Sequence, residues 1–487
     1  MKIRRLFALS TLFALAGGAV CAAPAQAPAD ARITAMVNRV SAGDLRAIDA
    51  KLVGFGTRNA FSETTSTSTR GVFAARDWLR SQFEDIAKQS GGRMTVSYDT
   101  YVQPKTDRTP RDVTISSVIA VLKGDDPDGR MYVMSSHYDS RNSEGNDATL
   151  DAPGADDNGS GTSAVLEAAK AMASTRFHGT IVFACFDGEE QGLFGSGHYA
   201  QVLKGQNADV LGDLNNDIIG TSVGPHGERA PYTVRVFSQA LPDDAKVSYV
   251  NLVGSENDSP SRELARYVKE AGEAYVKPMN GEMIYRADRF LRGGDQESFT
   301  AQGFPAMRFV EKYENFNHQH QTIRTEHGIE YGDLMKFVDY EYVARVTRMN
   351  VAALASLALA PEPAEAAFGA AASGTASPAS TKIAIGSFTF TFAVPSATRM
   401  RPSTPSSTAS TSIVALSVSI SAITSPALTC SPSFLSQRAS VPSVIVGLSA
   451  GIRMLVAMIP APAQTIFFTA STTQSGCGRA SFSRFAA

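Results

Sequence analysis

Cysteine is scarce in this chain, and its placement excludes one way of building a stable fold. Of four cysteines in 487 residues, Cys21 lies in the first stretch, Cys430 and Cys477 lie in the last, and only Cys185 stands between. No disulfide frame can brace the middle of the molecule, so its stability must come from a core rather than from cross-links. Cys185 falls inside the apolar run Thr180 to Phe186, which marks it as a small buried hydrophobe rather than a nucleophile. Acidic residues are missing altogether from Ala366 to Ala487, where seven basic residues are scattered among serine, threonine, alanine and proline. Beyond the first twenty residues no apolar run is long enough to cross a membrane, which argues against a permanent anchor. Excess positive charge is missing too. Setting aside the seven tail cations and three near the start leaves 35 cations against all 47 acidic residues, a balance unsuited to a nucleic-acid groove.

Three regions follow from these shifts in composition. Residues 1–27 join the basic start Lys2, Arg4 and Arg5 to an apolar stretch from Leu6 to Val20 and then small residues, the layout of a secretory signal peptide. That predicts a secreted or periplasmic protein. Residues 28–360 hold the charged, periodic sequence expected of a globular domain, and the 43% apolar content of the whole chain suffices for a large core. Residues 361–487 form an irregular Ser/Thr/Ala-rich tail. Its sharp loss of acidic residues favours out-of-frame translation over a disordered extension or a small β domain, and no function is assigned to it.

Within the middle region, short apolar runs alternate with helical patterns. Arg130 to Ser136 reads as a buried strand delivering His137-Tyr-Asp139. A turn, Gly154-Ala-Asp-Asp157-Asn-Gly-Ser-Gly161, leads into a helix from Thr162 to Ala173 with Val165, Ala168, Ala169 and Met172 on one face. The second strand, Thr180 to Phe186, empties into Asp187-Gly-Glu189-Glu190-Gln-Gly. Upstream, Gly71 to Lys88 is a predicted helix stopped by Gly91-Gly92, and Thr95 to Val102 and Asp112 to Leu122 are early strands. The polar loop Ser62 to Thr69 is a candidate neighbour of the site. Near-continuous apolar strands alternating with helices imply an α/β fold: a mostly parallel mixed sheet flanked by helices. Ligands of such sheets collect at the carboxyl ends of the strands.

His137, Asp157, Glu190, Asp217 and His318 all stand where such runs give out. Two imidazoles and three carboxylates suit zinc. An odd carboxylate can bridge two ions about 3.5–4 Å apart. Glu189, held beside Glu190, can take a proton from water and return it to a leaving amine. Each feature alone has a plainer reading: a satisfied histidine, a capped turn, a solvated helix start. Their joint order is what points to a hydrolytic metal site. The remaining histidines, His178, His198, His226 and His327, lie in no ligand-like context.

The motifs His-x-Asp, Gly-Ala-Asp-Asp-Asn-Gly-Ser-Gly, Asp-Gly-Glu-Glu-x-Gly-Leu-x-Gly-Ser and Asn216-Asp217-Ile-Ile-Gly220 closely resemble the M28 family of zinc aminopeptidases, from roughly Ala31 to Ala360. The resemblance implies two co-catalytic zinc ions, one held by His137, Asp157 and Asp217 and the other by Asp157, Glu190 and His318. It makes Glu189 the general base. Asp157 rather than Asp156 takes the bridging role, because the family's bridging aspartate stands four residues before the second glycine of the turn. Asp139 would accept a hydrogen bond from the far nitrogen of His137.

At the last ligand, Asn315-Phe-Asn-His318-Gln-His320-Gln-Thr322 offers two histidines. His318 is preferred because His-Gln matches family forms, with His320 the alternative; neither is followed four residues later by the family's aspartate. Asn317 occupies the place of a tyrosine that stabilises the oxyanion in many members, leaving Tyr285 and Tyr313 as candidates. Gly294-Asp295-Gln296 stands where many members have Ser-Asp-His. The arginines of Arg286 to Arg292 are either a solvated loop or a carboxylate-recognition element. The implied function is an exported zinc aminopeptidase acting on peptides with a free amino terminus. Its alternatives are a carboxypeptidase or glutaminyl cyclase on the same fold, or a non-catalytic binding ectodomain.

Overall fold

In a computed structural model, residues 29–127, 129–241 and 254–361 are described, with positions 248, 250 and 252 and several strand segments beyond Pro361. By compactness the chain divides into two units. One comprises Met1–Asp243 with Asp258–Ala360, the other Asp244–Asn257 with Pro361–Ala487. The signal-peptide expectation falls outside the described residues. So does the reading of the tail, apart from short strands such as Phe388–Pro395, which pairs antiparallel with Thr411–Val418.

Apolar runs in the first unit become one eight-stranded sheet: β1 (Met94–Gln103), β2 (Val113–Leu122), β3 (Met131–His137), β4 (Thr180–Phe186), β5 (Val210–Asn216), β6 (Thr233–Ser238), β7 (Asn280–Ile284) and β8 (Ala306–Glu311). Their spatial order is β1-β2-β4-β3-β5-β8-β6-β7. The four central strands β4, β3, β5 and β8 run parallel, while β2 joins β4 and β6 joins β8 antiparallel. The sheet is thus mixed α/β with a parallel centre, as the strand runs predict.

Period-two geometry explains why β4 is apolar on every residue from Ile181 to Phe186. Ile181, Phe183 and Cys185 of β4 enter the larger core, whereas Val182, Ala184 and Phe186 enter the smaller one on the opposite face. Five of the helices over the larger core are α1 (Ala31–Arg39), α2 (Ala42–Val53), α3 (Val72–Ala87), α4 (Gly161–Met172) and the long helix Tyr340–Leu359, in which fourteen of twenty residues are buried. Fully burying a leucine such as Leu79 contributes roughly 1.5–3 kcal/mol. The smaller core is covered by Phe194–Gly205 and Asp295–Ala301, through Tyr199, Leu203 and Phe299. Cys185 is fully buried, and desolvation pushes its thiol up to about 12, as befits packing rather than nucleophilic attack.

The loop Ser62 to Thr69 has a structural task. Ser62 and Ser66 hydroxyls accept the N–H groups of Val72 and Phe73, capping α3 where Gly71 offers no side chain. What positions the functional residues is the parallel centre, because β3, β4 and β5 all end on one rim.

Candidate metal centre

His137 is the last residue of β3 and is fully buried. Two loops follow, one carrying Asp139 and one carrying Asp157, and Arg58 joins them. Its buried guanidinium donates to the carbonyls of Tyr138 at 2.6 Å, Pro153 at 2.6 Å and Gly154 at 2.9 Å. Gly154 has φ 53°, and a Cβ there would stand 2.6 Å from Ser140 Cβ and 2.7 Å from the Asp157 carbonyl oxygen. Only glycine lets the turn pass this close.

The turn Asp156-Asp157 is fixed from beneath. Asp333 accepts both of its N–H groups, at 2.7 and 2.8 Å. The two aspartates then part. Asp156 accepts the Gly220 N–H at 2.7 Å and supports the loop after β5. Asp157 faces the histidines: Oδ1 lies 3.3 Å from His137 Nε2, and Oδ2 lies 2.8 Å from His320 Nε2. This division sets Asp157, and not Asp156, between the two histidines.

Two triads result. His137, Asp157 and Asp217 form one; Asp157, Glu190 and His320 form the other; within each, one donor atom per residue lies within 4.8 Å of the others. The buried His137 Nε2, Asp217 Oδ1 and Glu190 Oε1 have no hydrogen-bond partner. Unsatisfied polar atoms at this burial are costly unless something binds there. Their chemistry, imidazole nitrogen and carboxylate oxygen, fits zinc.

The histidine expected in the second triad, His318, is elsewhere. Its ring stacks on Phe337 with centroids 3.5 Å apart, and its Nδ1 lies 3.2 Å from Asn315 Nδ2. His320 takes the place, 2.9 Å from Glu190 Oε2. The physical reason is backbone conformation: His320 has φ 51°, a left-handed value uncommon outside glycine, which turns its side chain into the site. Spacing along the chain gives no warning of such a turn.

Asp139 also does more than expected. His137 Nδ1 is 3.2 Å from its main-chain oxygen and 3.5 Å from its carboxylate. That carboxylate accepts the N–H groups of Glu189 and Glu190, each at 3.1 Å. One residue therefore orients both, the histidine chiefly through its main-chain oxygen and the acidic turn through its carboxylate. Glu189 sits beyond, its Oε2 4.0 Å from His137 Nε2.

The electrostatics are those of acids crowded in a dry pocket. Burial favours the neutral form of Glu189 and raises its carboxyl well above the usual range; His137 opposes this, and Asp217, Glu190 and Asp295 reinforce it. Burial opposes charging of His320, yet Glu190 and Asp157 outweigh it and raise the imidazole to about 10. The same contest, won by Glu189 and Asp217, raises His137 well above its ordinary value. Positive charge is therefore favoured at both histidine positions, and metal ions would supply it without the protons.

Sequence reasoning missed Arg58, Asp333 and Arg308. Arg308 Nη2 lies 2.5 Å from Asp217 Oδ2. None of the three belongs to a motif, and an isolated Arg or Asp carries no signal of burial. Among the loop arginines, Arg286 pairs with Asp288 at 2.8 Å, and buried Arg289 pairs with Glu314. Arg292 stacks over the exposed Phe316 at 4.7 Å. Tyr285 is exposed beneath the Arg262 guanidinium. Tyr313 stands against Gly224.

Comparison with known proteins agrees with this geometry. The model of peptidase family M28 matches residues 117–340. A probable zinc metalloprotease of Leptosphaeria maculans is 49% identical over 332 residues, covering 68% of this chain and 77% of that one. A probable zinc metalloprotease of Pyrenophora teres f. teres is 47% identical over 339 residues, covering 69% and 70%. Among solved structures, the LapA aminopeptidase of Legionella pneumophila superposes with a TM-score of 0.50 at 22% identity, covering 68% of this chain and 75% of that one.

Proposed function

The chain belongs to peptidase family M28, and on that premise we propose that it is an exported zinc aminopeptidase holding two ions. One would be held by His137, Asp157 and Asp217, the other by Asp157, Glu190 and His320. The observation that carries the reading is the Asp157 carboxylate, which presents one oxygen to each histidine. When bound, the ions supply Lewis acidity, polarising the scissile carbonyl and easing deprotonation of the attacking water.

The remaining chemistry belongs to side chains. Glu189 stands at the mouth, its side chain 13% exposed, where a desolvated carboxylate of raised basicity can take the water's proton and hand it to the departing amine. Asp139 fixes the direction of that carboxylate through the Glu189 N–H, while its contact with His137 Nδ1 leaves Nε2 to face the metal position. The excess of carboxylates, with Asp295 behind Glu189, supports an electrostatic preference for a substrate's ammonium end. The basic and apolar leader supports export.

Glu189→Gln tests the core of the proposal. Zinc content should stay at two equivalents while turnover of free-amino dipeptides falls on the order of 10²–10⁴-fold. Turnover near that of the parent would remove Glu189 as the base. Chelator-sensitive cleavage of acetylated peptides as fast as of free ones would remove the aminopeptidase assignment.

A further inference from the structure

Asp217 has two carboxylate oxygens in different company. Oδ2 is taken by Arg308, whose guanidinium is wholly buried on β8 and stands 2.5 Å away. Oδ1 has no hydrogen-bond partner and lies 3.5 Å from His137 Nε2, on the side of the first triad. A guanidinium buried 2.5 Å from a carboxylate oxygen attracts it strongly even though Nη2 makes no hydrogen bond, so the ion pair draws Oδ2 toward Arg308 and away from an ion.

The arginine is held at its other end as well. Its Nη1 donates to the Gly293 carbonyl oxygen. At Gly294 a Cβ would stand 2.3 Å from Nη1 and 3.0 Å from the guanidinium carbon. Any side chain at position 294 would crowd this guanidinium. The segment Arg286 to Gly294 is thereby tied to a candidate metal ligand.

We propose that Arg308 is a positioning residue that restricts Asp217 to one-oxygen coordination of the ion at His137 and Asp157, leaving a coordination position open for substrate. A carboxylate with both oxygens free can chelate and close that position. Arg308 also offsets one of the four carboxylates that crowd the two triads and the base. The inference rests on the two-ion reading above and concerns only how one of its ligands is used.

The test uses the full chain and its Arg308→Met, Arg308→Lys and Gly294→Ser variants. Zinc affinities of the two equivalents are measured by competition with a chromophoric chelator, and the visible spectrum is recorded after loading with cobalt. In Arg308→Met one equivalent should change its affinity by roughly 10–100-fold while the other stays within about twofold, the range seen when a ligand's outer partner is removed. Cobalt absorption should weaken as the coordination number rises. Lysine restores charge without the Gly293 contact and should recover part of both changes. Gly294→Ser crowds the guanidinium without removing it and should reproduce the spectral change in a smaller degree, which keeps the idea testable if Arg308→Met fails to fold. Unchanged affinities and spectra in the folded variants would overturn the proposal while leaving the two-ion reading intact. A parent protein that binds no zinc would overturn both.

Discussion

The two triads share Asp157 but are built in different ways. His137 and Asp217 come from the ends of parallel strands, with side chains 1% and 3% exposed, and are locked by Asp139 and Arg308. His320 comes from the loop between β8 and the final helix, is 24% exposed, and owes its direction to one left-handed residue. The first half inherits its precision from the sheet, where neighbouring strands fix every Cα. In the second, Glu190 follows the end of β4 but His320 depends on a loop.

The comparison is broken most severely at the residue the halves share. Asp157→Asn should abolish binding of both ions, with turnover falling on the order of 10⁴-fold or more, since groups that act as a unit fail together. Metal analysis beside kinetics checks this. Retention of either ion at parental affinity would mean that the triads do not depend on a common carboxylate.

Next in size is the histidine of the second half. His320→Ala should lower bound zinc from two equivalents to one and reduce turnover by about 10²–10³-fold, whereas His318→Ala should keep both equivalents and lose at most about 1 kcal/mol of stability with its stacking on Phe337. If His318→Ala empties a position and His320→Ala does not, the left-handed turn at His320 is not the one used in solution.

A subtler consequence concerns metal removal. The exposed, loop-borne half should release its ion first, about tenfold faster than the strand-borne half, when dialysed against a chelator. In His320→Ala the remaining equivalent should leave at the slow rate alone. Two equal rates in the parent would show that the loop is as firmly held as the strand ends.

The same contrast explains what could be read from residues alone. Strands β3 and β4, the helix α4 and the candidate ligands His137, Asp157, Glu190 and Asp217 announce themselves because an apolar run and its polar terminus are local in sequence. Those ligands need no knowledge of distant parts, since the parallel sheet brings strand ends together. His320 escaped because its direction is set by one φ angle in a loop with no periodicity. Arg308 and Asp333 escaped because their roles rest on burial and on partners 91 and 176 or 177 positions away, Asp217 for one and the Asp157 and Asp156 N–H groups for the other. Asp139 was legible as a neighbour of His137, but its hold on the acidic turn is a tertiary fact.

The smallest expected effect probes the dry scaffold beneath the strand-borne half. Asp49 is fully buried, accepts the Tyr340 hydroxyl at 2.6 Å through Oδ2, and has no partner for Oδ1. Burial raises its carboxyl to about 7, although the Tyr340 hydrogen bond and the Arg58 charge oppose the shift. The folded protein then holds a proton between about pH 4 and 7 that the unfolded chain has released, so this group's contribution to stability declines as pH rises through that window. Asp49→Asn carries no such proton. Its unfolding free energy should fall less steeply than the parent's, by about 1.4 kcal/mol per pH unit, when both are unfolded in urea at pH 5 and pH 6 with chelator present. Asp156, also raised to about 7, chiefly by burial, keeps part of the slope in both proteins, so the difference between slopes is the quantity to read. Equal slopes would mean that Asp49 is ionised in the folded state, and that water reaches under the strand ends as readily as it reaches His320.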